Sequence, residues 1–184
     1  HDCSLAELLH RYKEEVTSKK QSFGREESRI KVICKHRISS TQLSQLSSKD
    51  IAKYRDDRLK TVSGTTVVKD LLLISHAIKI AQREWGFRLS SNPVDNVTKP
   101  SVNKPRERRL EEGEEEKLLK ACRGSSNNWF LPLVKVAIET GMRRGELLSL
   151  TWNNVYLDKS WVHLPMTKNG ESRDVPLSAK ARDI

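Results

Sequence analysis

The sequence predicts a mainly α-helical chain with one small β-hairpin toward its C-terminal end. Apolar residues recur at three- and four-residue spacing through most of the 184 residues. Past Asp158 the pattern changes to that of strands, and an Asn169-Gly170 dipeptide separates two short strand-like runs. A proline-bearing basic segment divides the chain. A helical domain is therefore expected over residues 1–96, a linker over 97–109 and a second domain over 110–184.

Ser4-Leu5-Ala6-Glu7 opens the first helix as a capping box, and Leu5, Leu8, Leu9, Tyr12 and Val16 fall on one face. A second helix is expected over about 25–36, with Ile30, Val32 and Ile33 available for burial. Ser47-Ser48 cap a third, which runs through Ile51, Tyr54 and Leu59. The fourth helix shows a continuous stripe of Val67, Leu71, Ile74, Ile78, Ala81 and Trp85, and Gly86 closes it. Prolines then block regular structure, while mutual repulsion of Lys99, Lys104, Arg106, Arg108 and Arg109 favours an extended tether.

In the second domain Glu111, Glu112, Glu114, Glu115 and Glu116 crowd the first turns of a helix, where its dipole favours negative charge. That role accounts for the acidic run without a function. A further helix is expected over about 129–140, then strands over 161–164 and 173–177. The hairpin signal at Asn169-Gly170 places Lys168 immediately before a tight turn, at an exposed tip. Ser178 reads as the cap of a last helix.

The formal charge is +10 and the sequence pI about 9.7, which points to an acidic partner. Residues 1–100 carry net +7 and residues 101–184 net +3. The longest apolar stretches, such as Leu71-Leu72-Leu73-Ile74, are far too short to span a bilayer. No signal peptide precedes His1, and the missing initiator Met suggests that the sequence begins inside a longer one. Cys3, Cys34 and Cys122 form no CxxC or zinc-ligand pattern, so a reducing cytosol is expected, with no metal and no cofactor.

Double-stranded DNA is the expected partner. Arg25, Arg29 and Lys31 ride on the second helix, and Lys69, Lys79 and Arg83 lie off the apolar stripe of the fourth. A solvated face accounts for any one of these charges; two basic helices in one small domain make a groove-contacting surface plausible. Lys99, Lys104, Arg106, Arg108 and Arg109 could follow the phosphate backbone as a tether.

The most informative stretch is Thr140-Gly141-Met142-Arg143-Arg144-Gly145-Glu146-Leu147-Leu148-Ser149-Leu150-Thr151-Trp152. Gly141 can take a positive φ and end one helix, while Leu147, Leu148 and Leu150 bury the next and fix the junction. An arginine held there has lost much of its freedom before a phosphate arrives. Two solvated arginines at a surface helix start would serve the spacing alone equally well.

This stretch resembles the first signature box of the tyrosine recombinases, the phage-integrase family of DNA breaking-and-rejoining enzymes. His163 to Ser178, with its Thr-Lys-Asn-Gly-x-Ser-Arg-x-Val-Pro-Leu core, resembles the family's lysine-bearing hairpin. The wording of both boxes is closest to the shufflon-type DNA-inversion recombinases. The resemblance implies an all-α SAM-like core-binding domain that clamps one side of a duplex. Behind it would come the N-terminal portion of an α+β catalytic domain.

By the same resemblance, Arg143 holds the non-bridging oxygens and Lys168 protonates the departing 5′-oxygen, on the way to a 3′-phosphotyrosyl intermediate. Glu146, three residues after Arg143 on the same helix, is expected to pack against or orient the local arginines rather than react. The family's His-x-x-Arg box and tyrosine nucleophile lie downstream of the hairpin. The tyrosines here are Tyr12, Tyr54 and Tyr156. A cytoplasmic fragment that binds DNA without cutting it is therefore expected, monomeric by itself, from a parent that works as a tetramer. The alternative is a non-catalytic accessory protein with a degenerate recombinase core.

Overall fold

The computed structural model describes residues 2–105, 107–167 and 170–184. The chain forms two compact units, His1–Arg106 and Glu107–Ile184. It is mainly α-helical with one small antiparallel sheet, and among the described residues no helix is long and apolar enough to cross a membrane.

The first unit packs α1 (Leu5–Glu15), α2 (Phe23–Cys34), α3 (Ser48–Leu59) and α4 (Gly64–Glu84), with short 3-10 turns at Thr17–Lys19 and Arg37–Ser40. Ser4 and Ser47 each close a capping box, with Glu7 and Asp50 reaching back. The α4 stripe is the spine of the core. Val67, Leu71, Ile74, Ile78 and Ala81 are fully buried against Leu5, Leu8, Leu9 and Tyr12 of α1 and Ile30 and Ile33 of α2. Trp85, at the end of the stripe, packs beneath the Arg11 guanidinium, 4.3 Å from its ring centre.

Three expectations change here. Val32 is 40% exposed, because two residues on from Ile30 a helix has turned about 200° away from the core. Leu59, five residues past Tyr54, likewise points outward at the end of α3. His36 does not continue α2. Its Nδ1 accepts from the Ile38 N–H (3.2 Å) and caps the following 3-10 turn, while its ring meets Tyr54 edge-on at 4.9 Å.

Asp70 of α4 is 1% exposed and ties three helices together. It accepts from Arg29 Nη1 of α2 (2.6 Å), and from Tyr54 Oη (3.0 Å) and Arg58 Nε (3.2 Å) of α3. A carboxylate taken out of water is tolerated only with such partners.

The segment after α4 is held along the first unit and does not run free. Val94 and Val97 are buried in its core, and Asn92 donates to the carbonyl and hydroxyl of Ser75 (3.1 and 2.9 Å). Arg55 donates to the Thr98 carbonyl (2.9 Å), and Thr65 Oγ1 accepts from the Asn103 N–H (3.2 Å). Gly64 permits this course, since a Cβ there would lie 2.1 Å from the Ser101 carbonyl oxygen.

The second unit holds α5 (Glu114–Arg123), α6 (Phe130–Thr140), α7 (Arg144–Leu148), β1 (Val155–Tyr156), β2 (Trp161–Leu164), β3 (Arg173–Pro176) and α8 (Ala179–Arg182). The strands order β1-β2-β3, all antiparallel. β1 has two residues, too few to show a period. The last pair of the two long strands is Leu164 with Arg173, and the tight turn expected at Asn169-Gly170 rests on Asn169, which lies outside the described residues. Pro165 has no N–H to extend the ladder. Between these strands the Thr167 N–H donates to the Glu171 carbonyl (2.9 Å) and the Gly170 N–H to the Thr167 carbonyl (3.0 Å). Met142, Val162, Leu164 and Val175 form the core, with Val136, Leu147, Leu150, Val155 and Leu177 packed on it.

Candidate active site and nucleic-acid interface

The junction between α6 and α7 is built by its sequence. Gly141 takes φ 63° and ends α6, the conformation a Cβ would penalise. Thr140 Oγ1 donates to the Val136 carbonyl (2.6 Å), and buried Met142 pins the turn to the sheet. Leu148, expected to help bury α7, is largely exposed; Met142, Leu147 and Leu150 do the anchoring.

Arg143 stands at the N-cap of α7. Its backbone N–H donates to Glu146 Oε2 (2.8 Å) and its Nη1 to Glu146 Oε1 (2.9 Å). Arg173, at the start of β3, donates through Nη2 to the same Glu146 Oε2 (2.9 Å). Glu146 is 5% exposed, whereas the side chains of Arg143 and Arg173 are 57% and 44% exposed. The Arg143 N–H holds the Glu146 carboxyl below the ordinary glutamate range, against its own burial, and the two guanidinia add to that. A buried carboxylate thus presents two cations at the surface. Such a pair suits a phosphodiester whose oxygens gain charge during reaction. Lys168 and Arg106 lie outside the described residues.

In the first unit Arg25, Arg29 and Lys69 line a common cleft of about 490 Å³ with Lys20, Tyr12 and His76. Lys20 Nζ donates to Tyr12 Oη (2.7 Å) and Glu26 Oε1 (2.8 Å), and Tyr12 Oη lies 2.6 Å from His76 Nδ1. Burial, then the Lys20 ammonium, lowers the His76 pKa and so favours its neutral form. Arg29 differs from its neighbours, since its guanidinium is taken up by Asp70 and the Thr66 carbonyl (3.3 Å).

The other basic residues are dispersed. Lys31 pairs with Glu27 at 3.2 Å and Lys79 with Asp95 at 3.6 Å, while Arg83, Lys99 and Lys104 are exposed. In the second unit Arg109 is exposed and Arg108 pairs with Glu114, the residue whose carboxylate also accepts from the Glu111 N–H. So the acidic run does more than complement the helix dipole. Lys20 escaped the sequence reading because it lies in an aperiodic turn between helices. Arg173 carried a usable sign: it alternates with Val175, which puts a charge on a strand's core-facing side.

Residues 108–184 match the phage integrase family. A shufflon-specific DNA recombinase of Escherichia coli is 39% identical over 98% of this chain and 49% of its own length. A putative integrase/recombinase of Haemophilus influenzae is 40% identical over 100% of this chain and 52% of its own. The chain spans about half the length of these curated relatives. The fold is shared with the Tn1549 transposon integrase in complex with transposon right end DNA, at TM-score 0.81 and 16% identity over 98% of this chain and 63% of that one. It is shared too with a lambda integrase dimer bound to a COC′ core site, at TM-score 0.79 and 22% identity over 96% and 49%. Two signature boxes, the arginine-bearing junction, the hairpin behind it and these likenesses agree: the chain belongs to the tyrosine recombinase, or phage integrase, family.

Proposed function

We propose that the chain is the DNA-binding part of a site-specific recombinase that breaks and rejoins duplex DNA through a 3′-phosphotyrosyl intermediate. The observation that carries this reading is Arg143, held by buried Glu146 at the α6–α7 junction and open to solvent on its other side. Residues 1–96 serve as the core-binding domain, 97–109 as a basic linker and 110–184 as the first portion of the catalytic domain. Arg143 clamps the scissile phosphate, Glu146 orients it, and Lys168 supplies the proton to the leaving oxygen.

Arg25 and Lys69 at the first unit's cleft are the leading phosphate contacts, with Lys31, Lys79, Arg83, Lys99, Lys104, Arg106, Arg108 and Arg109 adding to the field, while Lys20 is engaged by Tyr12 and Glu26. Arg29 acts chiefly through Asp70. The chain alone acts as a monomer, and the parent recombinase assembles on DNA; lambda integrase forms a tetramer on a Holliday junction.

Duplex binding followed against salt tests the DNA assignment. Six or more phosphate contacts should cost at least about 10³-fold in affinity between about 50 and 200 mM salt. A flat salt dependence would mean that the positive charge is only solvation. A second expectation concerns chemistry. Tyr12 and Tyr54 are fully buried, and Tyr156 stacks on Trp161 at 4.2 Å. On a nicked suicide substrate the chain should form no covalent adduct, and any adduct resolved on a denaturing gel contradicts this.

A further inference from the structure

We propose that Arg173 is a positioning residue of this site: by sharing Glu146 with Arg143, it couples the β2–β3 hairpin to the phosphate-binding guanidinium. The inference rests on the reading of Arg143 given above.

The strand register puts Arg173 across from Leu164, on the face that Val162, Leu164 and Val175 turn toward the core. At the edge of that face the Arg173 guanidinium, 44% exposed, donates to Glu146 Oε2 at 2.9 Å. That oxygen also accepts from the Arg143 N–H, while Oε1 holds the Arg143 guanidinium. One carboxylate therefore sets both where Arg143 stands and where β3 begins.

Two consequences follow for the reaction. A carboxylate paired with one arginine would cancel most of that arginine's charge. Shared between two, it leaves the cluster net positive, so an incoming phosphate completes it. Gly170, Glu171 and Ser172 lead directly into Arg173, so the tie from β3 to α7 also anchors the strand end that follows Lys168 in sequence. An arginine on one element and a proton donor on another must keep a fixed separation to act on one phosphate.

The test has three parts. In the 184-residue chain, carbon-detected NMR titration should place the Glu146 carboxyl below its ordinary 4.5, and Arg173→Gln should move it up toward that value. In a full-length recombinase carrying these residues, Arg173→Gln should slow single-turnover cleavage about 10–100-fold, with duplex affinity changed by less than about threefold. Arg173→Lys keeps the charge and should recover cleavage to within about tenfold of the parent while leaving Glu146 low.

The inference is overturned if the Gln variant matches the parent in both readouts, or if Lys behaves as Gln in both. Should the Gln variant not fold, the unsubstituted chain decides the matter. On acidification the guanidinium signals of Arg143 and Arg173 should shift together, at the midpoint of Glu146, and movement of Arg143 alone refutes the coupling. Cleavage that survives Arg143→Ala would instead remove the reading of the site itself, and so separates the two failures.

Discussion

Replacing Arg143 by alanine in a full-length recombinase carrying these residues is expected to slow strand cleavage by at least about 10²–10³-fold, the loss typical of one preorganised transition-state donor. Duplex affinity should fall by no more than about tenfold, because one phosphate contact among many contributes little to the total. The split follows from the geometry. Gly141, Met142 and Glu146 settle the position of Arg143 before DNA arrives, so little ordering remains to be done when charge develops on the phosphate. Single-turnover cleavage and a binding isotherm at one fixed salt concentration measure the two effects separately. A collapse of binding with cleavage per bound complex unchanged would make Arg143 an anchor, with no part in the chemistry. Arg143→Lys should fall between, since an ammonium cannot hold Glu146 and a phosphate with the same planar fork.

The largest structural effect is expected at Asp70. Its removal leaves the Arg29 and Arg58 guanidinia without their shared carboxylate and Tyr54 Oη without its acceptor, all between three helices. Breaking a buried charge cluster from one side typically costs about 3–5 kcal/mol, a large part of a small domain's stability. Asp70→Ala should therefore lower the urea midpoint of the first unit sharply, followed by far-UV circular dichroism. Asp70→Asn keeps the shape and some hydrogen bonds but not the charge, and should lose less. A loss below about 1 kcal/mol for alanine would mean that the arginines find water as readily as they found Asp70. DNA binding should fall with the fold in the alanine variant and survive in whatever fraction stays folded.

Much of the architecture was legible because it depends on local rules. The α4 stripe, the capping boxes of Ser4 and Ser47, the glycine stop at 141 and the change from helix to strand past Asp158 each need only a few neighbouring residues. What stayed hidden depends on residues distant in sequence. β1 exists because β2 lies beside it. Arg29 reads in the sequence as part of a basic face, but Asp70, 41 positions away, binds it. The site followed the same division. Arg143 and Glu146 are three residues apart and showed themselves as a pair, whereas Arg173 joins them across 27 positions.

The four tryptophans divide in a way that decides how this chain can be observed. Trp129 and Trp152 of the second unit are 80% and 81% exposed, so their indoles already emit from water in the folded state. Trp161 lies face to face with Tyr156, and Trp85, in contact with Arg11, is the single indole of the first unit. Total intrinsic fluorescence is therefore dominated by reporters insensitive to folding, and a melt followed by emission alone would miss most of the helical unit's transition. Quenching by iodide turns this to advantage: the two open indoles respond first, and the residual signal isolates Trp85 and Trp161.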